Sequence, residues 1–292
     1  MLRRLRKSLA WRLRGVSDAL GDAEDRKAWR TIDLAQEVQR QQAGGVGQDE
    51  VLGFCRMLAP HDVEGHQKIR LGNSNDGGYV FIDDFSDVST IISCGISTDV
   101  SCDLAFADLG KDVIQFDHTV EGPPVRHPRF QFRRQAIDET LAIAGAARLS
   151  DVIRDRGDPG KSDLLLKIDI EGSEWNTFAA MRGADLLRCR QIACEFHDSS
   201  KLADRASLSR YEAAVRVITE GFFPVHVHAN NFLGLSTVQG VPIPDAFEVT
   251  FVNKALYRPA ARQKAGPLAV DAPNDAAAPD LFLGSPFSLA SD

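Results

Sequence analysis

Seven short runs rich in β-branched and aromatic residues recur between residues 89 and 253. They are 89–94 (STIISC), 112–117 (DVIQFD), 129–134 (RFQFRR), 164–169 (LLLKID), 191–197 (QIACEFH), 222–229 (FFPVHVHA) and 246–253 (AFEVTFVN). Helix-like segments at 100–109, 141–156, 173–181 and 202–220 separate the early ones, and Gly221 is placed to end the last helix. Strands alternating with helices require a parallel sheet wrapped on both faces, because parallel neighbours need a crossover. The runs at 222–229 and 246–253 have no helix between them, so the last strand is expected to be antiparallel. The expected fold class is therefore α/β, a seven-stranded, mostly parallel sheet with its last strand antiparallel. A separate pair of short strands, 68–71 and 79–82, precedes it and brackets Gly72-Asn73-Ser74-Asn75-Asp76-Gly77-Gly78.

The flanks have a different character. The first 16 residues hold six basic side chains (Arg3, Arg4, Arg6, Lys7, Arg12, Arg14) and no acid. At about 100° per residue, Leu2, Leu5, Leu9, Leu13 and Val16 share one helix face. Such a helix suits an anionic membrane surface, or packing on its own domain or on a second copy in a homo-oligomer. Arg12 and Arg14 break the apolar run that a signal peptide needs. Residues 17–42 read as one long or two shorter helices ending at the glycine-rich stretch 44–47. The expected division is a basic helical extension at 1–47, an α/β domain at 48–257 and an Ala/Pro-rich tail at 258–292. That tail reads as largely irregular, with Leu281, Phe282, Leu283 and Phe287 available to dock it. The formal net charge of -7 opposes a nucleic-acid binder working through a basic surface. The 5 cysteines lack CxxC spacing, which fits a reducing compartment: cytoplasmic, with residues 1–16 touching the inner membrane face.

In an open α/β sheet, ligands bind beyond the carboxyl ends of the strands. The first strand ends in Cys94-Gly95-Ile96-Ser97-Thr98-Asp99, where Gly95 allows a tight turn and close backbone approach. The second ends at Asp117, placed to accept hydrogen bonds from a ribose diol. The fourth ends in Lys167-Ile168-Asp169-Ile170-Glu171-Gly172-Ser173-Glu174-Trp175, where Ser173 or Glu171 could cap the next helix. Glu195 and His197 are two apart on the fifth strand and share a face. Strands four and five are neighbours in this topology, so Asp169, Glu195 and His197 should converge. The sixth strand adds His226 and His228, followed by Asn230-Asn231. Carboxylates and imidazoles gathered this way suit a general base acting on a hydroxyl. Asp169, Glu171, Glu195, His197, His228 and Asn231 are the candidate catalytic residues. The group also suits Mg²⁺ or another divalent cation on Asp169, Glu195 and His197. No GxSxG or HExxH motif is present.

The run LLKIDIEGSEW at 165–175 resembles the lKiDiEGaE signature of FkbM-type S-adenosylmethionine-dependent methyltransferases. Asp76-Gly77-Gly78-Tyr79 is similar to the DGGY element of one branch of that family. The single-glycine loop at 95–101, the E-x-H of Glu195 and His197, the H-x-N-N of His228, Asn230 and Asn231, and EVTF at 248–251 match the same branch. The likeness spans residues 65–254 and implies a Rossmann-like class I methyltransferase fold that uses S-adenosylmethionine. It also implies roles. Asp76, Gly77, Gly95, Ile96 and Asp99 would line the cofactor site, Asp117 would hold the ribose, and His118 would lie near the adenosine. Asp169 would lie where methyl donor meets acceptor. The acceptor implied is a hydroxyl of a sugar, a glycolipid or polysaccharide, or a small natural product. Two alternatives are a degenerate methyltransferase fold acting as an assembly partner, and a Rossmann-type nucleotide-sugar enzyme. The absence of GxGxxG opposes the second.

Overall fold

The computed structural model describes residues 45–156, 158, 160–262 and 266–288. The sequence readings of residues 1–16 and 17–42 therefore lie outside the described residues. The main sheet contains β4 (Thr90–Cys94), β5 (Asp112–Phe116), β6 (Phe130–Arg133), β7 (Leu164–Ile168), β8 (Cys189–Phe196), β9 (Phe222–Ala229) and β12 (Phe247–Asn253). All seven expected runs are thus strands of one sheet, in the order β6-β5-β4-β7-β8-β12-β9. The pairs from β6 through to β8 are parallel, whereas β12 runs antiparallel to both β8 and β9. A hairpin of β10 (Leu235–Val238) and β11 (Val241–Pro244) fills the β9–β12 connection in place of a helix. The remaining strands are β1 (His61–Val63), β2 (Lys68–Leu71), β3 (Tyr79–Ile82) and β13 (Pro259–Arg262). β2 pairs with β3, and β1 pairs with β13.

The central strands β7 and β8 are buried along their whole length, as expected where helices cover both faces. The helices are α1 (Gln48–Met57), α2 (Ser101–Asp108), α3 (Leu149–Arg154), α4 (Glu174–Ala180), α5 (Gly183–Leu186) and α6 (Arg205–Gly221). Trp175 of α4 is the centre of one side of the core. Its ring stacks between Tyr211 (centroids 4.0 Å apart) and Phe196 (4.1 Å). Its indole N–H donates to the His197 carbonyl at 2.6 Å, so the packing of α4 also fixes a site residue.

Two helix expectations are corrected. The segment 141–156 is helical only at Leu149–Arg154. Upstream, the Asp138 carboxylate accepts the backbone N–H groups of Thr140 and Ile143, and Leu141 adopts φ 56. Those side-chain bonds compete with helix formation. Gly221 does not follow α6 as a left-handed cap; it is the last residue of the helix. Its lack of a side chain serves packing, since a Cβ there would lie 2.6 Å from Leu187 Cδ2.

The tail has regular structure in β13 and in a 3-10 turn at Ser285–Phe287. Leu283 and Phe287 are buried in the main core, with Phe287 edge-on to Phe247 at 5.7 Å, while Phe282 stays 70% exposed. The tail is therefore anchored by two apolar side chains. Replacing Phe287 with Ala is expected to cost about 3–5 kcal/mol in urea denaturation, as for other buried phenylalanines. A loss below about 1 kcal/mol would mean that the tail rests on the surface without completing the core.

Candidate active site

The sheet register places the polar residues of several strands on one face. Ser93, Gln115, Lys167, Ala193, Thr250 and His226 are aligned across neighbouring strands. Two residues further toward the carboxyl edge come Gly95, Asp117 and Asp169, and then the paired Glu195, Glu248 and His228. Side chains two apart share a face, so this second row forms one polar edge.

Its first half is a cleft open to solvent, with about 490 Å³ of free space, lined by Asp76, Gly77, Tyr79, Gly95, Ile96, Asp99, Lys167 and Asp169 among others. Gly95 has φ +79, and a Cβ on it would lie 1.6 Å from the Asp169 carbonyl oxygen. Lys167 donates its ammonium to the Gly95 carbonyl at 2.5 Å, 3.7 Å from Asp169 Oδ2. Burial opposes that charge, but Asp169 and Asp103 more than compensate and hold the Lys167 pKa above its usual value. A Cβ on Gly77 would meet the Asp99 carboxylate at 2.6 Å. Asp99 in turn accepts from Ser101 N at 2.7 Å and from the Asn73 amide.

Asp117 lies at the end of β5, behind this loop. Its carboxylate accepts Ile96 N (3.1 Å), Ser97 N (2.9 Å), Thr119 N and the Thr119 hydroxyl (both 2.7 Å). Burial alone would raise its pKa, yet these donors hold it below the usual aspartate value. Four donors match the roughly four acceptor positions of a carboxylate. A ribose diol at Asp117 would have to displace one of them, and the rotatable Thr119 hydroxyl is the simplest to exchange. Asp117 and the exposed His118 are not among the residues lining the cleft.

Beside the cleft, Asp169, Glu195 and His197 do converge, with one oxygen or nitrogen from each lying within 4.8 Å of the others. His197 Nε2 lies 3.6 Å from Glu195 Oε1, 3.8 Å from Asp169 Oδ1 and 3.9 Å from Glu171 Oε2. Glu171 reaches the group from a backbone conformation with φ 61. Tyr79 donates its hydroxyl to Asp169 Oδ2 at 3.2 Å and lies 3.5 Å from Glu195 Oε2. Burial, with Asp169 alongside, pushes the Glu195 pKa well above the usual carboxylate range. Burial disfavours charge on His197 too, but Glu174, Glu195 and Asp169 outweigh it and raise its pKa well above that of a free imidazole.

His228 and Asn231 are elsewhere. His228 Nε2 meets Asp280 at 2.9 Å, and the Asn231 amide donates to the carbonyls of Asp275, Ala278 and Pro279. His226 likewise meets Asp271 at 2.8 Å. These residues hold the tail across the sheet edge. Four residues at the site stood within quoted motifs but were not among the catalytic, cofactor or metal candidates of the sequence reading: Tyr79, Lys167, Glu174 and Asn230. Asn230 donates to Glu195 Oε1 at 2.7 Å. The signal for it was available, since the alternation that pairs Glu195 with His197 also puts Asn230, not Asn231, on the face of His228. Glu174 is fully buried, accepts Ile170 N and Gly172 N at 2.7 and 2.8 Å, and lies 3.2 Å from His197 Nδ1. Ser173 occupies the N-cap position of α4, but its side chain makes no capping bond.

A family model described as the Methyltransferase FkbM domain matches residues 62–216, more than half of the chain. The chain belongs to the FkbM methyltransferase family. It is an S-adenosylmethionine-dependent methyltransferase with the Rossmann-like fold of that class. Comparison with curated proteins returned no match. No helix among the described residues is long and apolar enough to cross a membrane. The cleft of this methyltransferase lies beyond the carboxyl ends of β4 and β7, where a cofactor binds in an open α/β sheet, and it is walled by backbone at Gly77 and Gly95, which pack too tightly on Asp99 and the Asp169 carbonyl to carry a side chain. The matched region ends before β9, β12 and the tail, so Glu248 and His228 of the polar row lie beyond it.

Gly95→Ala should abolish S-adenosylhomocysteine binding in calorimetry, because the added methyl collides with backbone that cannot swing aside. Near-native affinity would mean that the loop relocates freely. Asp117 gives a pH test. Its depressed pKa contributes stability that is fully present above the unfolded value of about 3.9 and is lost as pH falls through the native value. Thermal melts of wild type and Asp117→Asn should differ most near neutral pH, by about 1.5–3 kcal/mol, and converge in acid. A constant gap down to low pH would contradict the charged-carboxylate account.

Proposed function

We propose that this methyltransferase transfers methyl to a hydroxyl of an uncharged polyol: a sugar, a glycolipid or polysaccharide, or a small hydroxylated natural product. The carrying observation is the polarity of the site beside the cofactor cleft. Asp169 and Glu171 present carboxylate oxygens there, which accept hydroxyl protons and repel an anionic acceptor.

When bound, S-adenosylmethionine supplies an electrophilic methyl carbon on a sulfonium. The chain's task is to align an acceptor oxygen with it and to take up the hydroxyl proton. Asp76, Gly77, Gly95, Ile96, Asp99 and Lys167 would hold the donor, with Asp117 fixing the loop from behind. Asp169 is the residue shared by cleft and cluster, and its Oδ1 accepts no hydrogen bond. It is therefore the best-placed proton acceptor. His197, held in its charged form by its neighbours, and His228, bound to Asp280, are less suited to that step than the sequence suggested. Residues 1–16 would add contact with an anionic membrane on the cytoplasmic side, bringing the enzyme to a lipid-linked acceptor.

The test is transfer of labelled methyl to a panel of free sugars, glycolipids and polyhydroxylated natural products. Asp169→Asn should lower turnover about 100-fold to 10,000-fold while S-adenosylhomocysteine still binds. Full turnover in that variant would remove Asp169 from the reaction. Methylation confined to amines or carboxylates would overturn the hydroxyl reading.

A further inference from the structure

We propose that Asp169, Glu195 and His197 bind a divalent cation of the Mn²⁺ or Zn²⁺ class, with Glu171 at its edge and Glu174 as the residue that orients His197. This cation would serve the methyl-transfer reading above, on which the inference rests. It would lower the pKa of an acceptor hydroxyl, and with Asp169 then engaged as a ligand the proton would leave to water in place of that carboxylate.

Three observations converge. First, the His197 side chain is only 7% exposed, and its Nε2 makes no hydrogen bond. The nitrogen faces oxygens of Glu195, Asp169 and Glu171 at 3.6, 3.8 and 3.9 Å. Those separations are too long for hydrogen bonds. Two of them are close to the distance between ligands on one ion, since donors about 2.0–2.3 Å from a tetrahedral centre are about 3.3–3.8 Å apart. Second, Asp169 Oδ1 is buried and accepts no hydrogen bond. Third, the outer contacts are already built. Glu174, fixed by Ile170 N and Gly172 N, lies against His197 Nδ1, which leaves Nε2 to face the cluster. Asn230 steadies Glu195 in the same way. Metal-ligating histidines are commonly oriented by a carboxylate behind them.

Charge points the same way. Asp169, Glu171, Glu174 and Glu195 are matched in this cluster only by Lys167 and His197. One imidazole among carboxylates favours a first-row transition ion over Mg²⁺ or Ca²⁺, which prefer oxygen alone.

The experiment is a Mn²⁺ titration of the chelator-treated, full-length, untagged chain, followed by electron paramagnetic resonance. One Mn²⁺ per chain is expected, with pulsed spectra showing a single coupled imidazole nitrogen, and Zn²⁺ should displace it. Asp169→Asn and His197→Ala should abolish binding. Glu121→Gln, at a surface acid paired with Arg134, should leave it intact. Glu174→Gln should weaken it about 10-fold to 100-fold. If the ligand variants misfold, the nitrogen coupling in the wild type decides. A sample that binds S-adenosylhomocysteine but no stoichiometric Mn²⁺, or that binds Mn²⁺ without the nitrogen signal, overturns the cation site and leaves methyl transfer standing. Failure to bind S-adenosylhomocysteine from folded protein would instead count against the reading beneath it.

Discussion

The contact between Gly95 and Asp169 sets the geometry of the whole carboxyl edge. Asp169 N donates to the Cys94 carbonyl at 2.9 Å, which closes the β4–β7 ladder. The chain then turns through Gly95 so close to the Asp169 carbonyl that no side chain fits between them. Lys167 fastens the same turn from below through its bond to the Gly95 carbonyl. On the far side, Asp117 holds the next two backbone N–H groups. The loop that flanks the cofactor cleft and the carboxylate that faces the cluster are therefore parts of one rigid junction. Methyl transfer needs donor and acceptor aligned to within a fraction of an ångström, and on the proposed reading this junction would provide that alignment in backbone.

The same register creates an energetic problem. It buries Glu195, Glu248, Lys167, His197, His226 and His228 on one sheet face, where an uncompensated charge costs several kcal/mol. The protein answers with specific partners, not with solvent. Tyr79 and Asn230 serve Glu195, Asn274 donates to Glu248 at 2.9 Å, and Asp271 and Asp280 face the two β9 histidines. At Asp169, Glu195 and His197 the groups stand close together without bonding one another, and Asp169 Oδ1 accepts no hydrogen bond. A cluster held rigid but incompletely neutralised can respond to a ligand, because polar groups fixed in advance need no reorganisation when charge shifts.

The fold was legible because the strands are short, β-branched and regularly spaced, and because connection rules leave few topologies for them. Asp169, Glu195 and His197 were legible for a related reason. Strand-end residues of adjacent parallel strands meet wherever the sheet order is known. What was lost depends on orientation, not on position. Glu174 reads as an ordinary first-turn acid, and only the tight turn through Glu171 and Gly172, with φ 61 and 98, folds it back against His197. His228 and Asn231 were read as catalytic from their place at a strand end and from the H-x-N-N likeness. Their partners, Asp280 and the carbonyls near Ala278, lie some fifty residues away in a segment whose Ala/Pro/Asp composition encodes no local structure.

That segment divides the molecule functionally. Residues 266–288 cross the ends of β9 and β12, and Asn274 also accepts Asp76 N at 3.2 Å, within the loop that lines the cofactor cleft. The tail thus roofs one half of the polar row and touches the wall of the other. The donor half, from Asp76 through Asp169 and including Glu195 and His197, lies inside the region that matches the family. The roof lies outside it. On the proposed reading, an acceptor that meets Asp169 from the roofed side would be selected largely by residues beyond the matched region. A shared chemical junction combined with a separately built wall lets one fold keep its reaction while its acceptor changes.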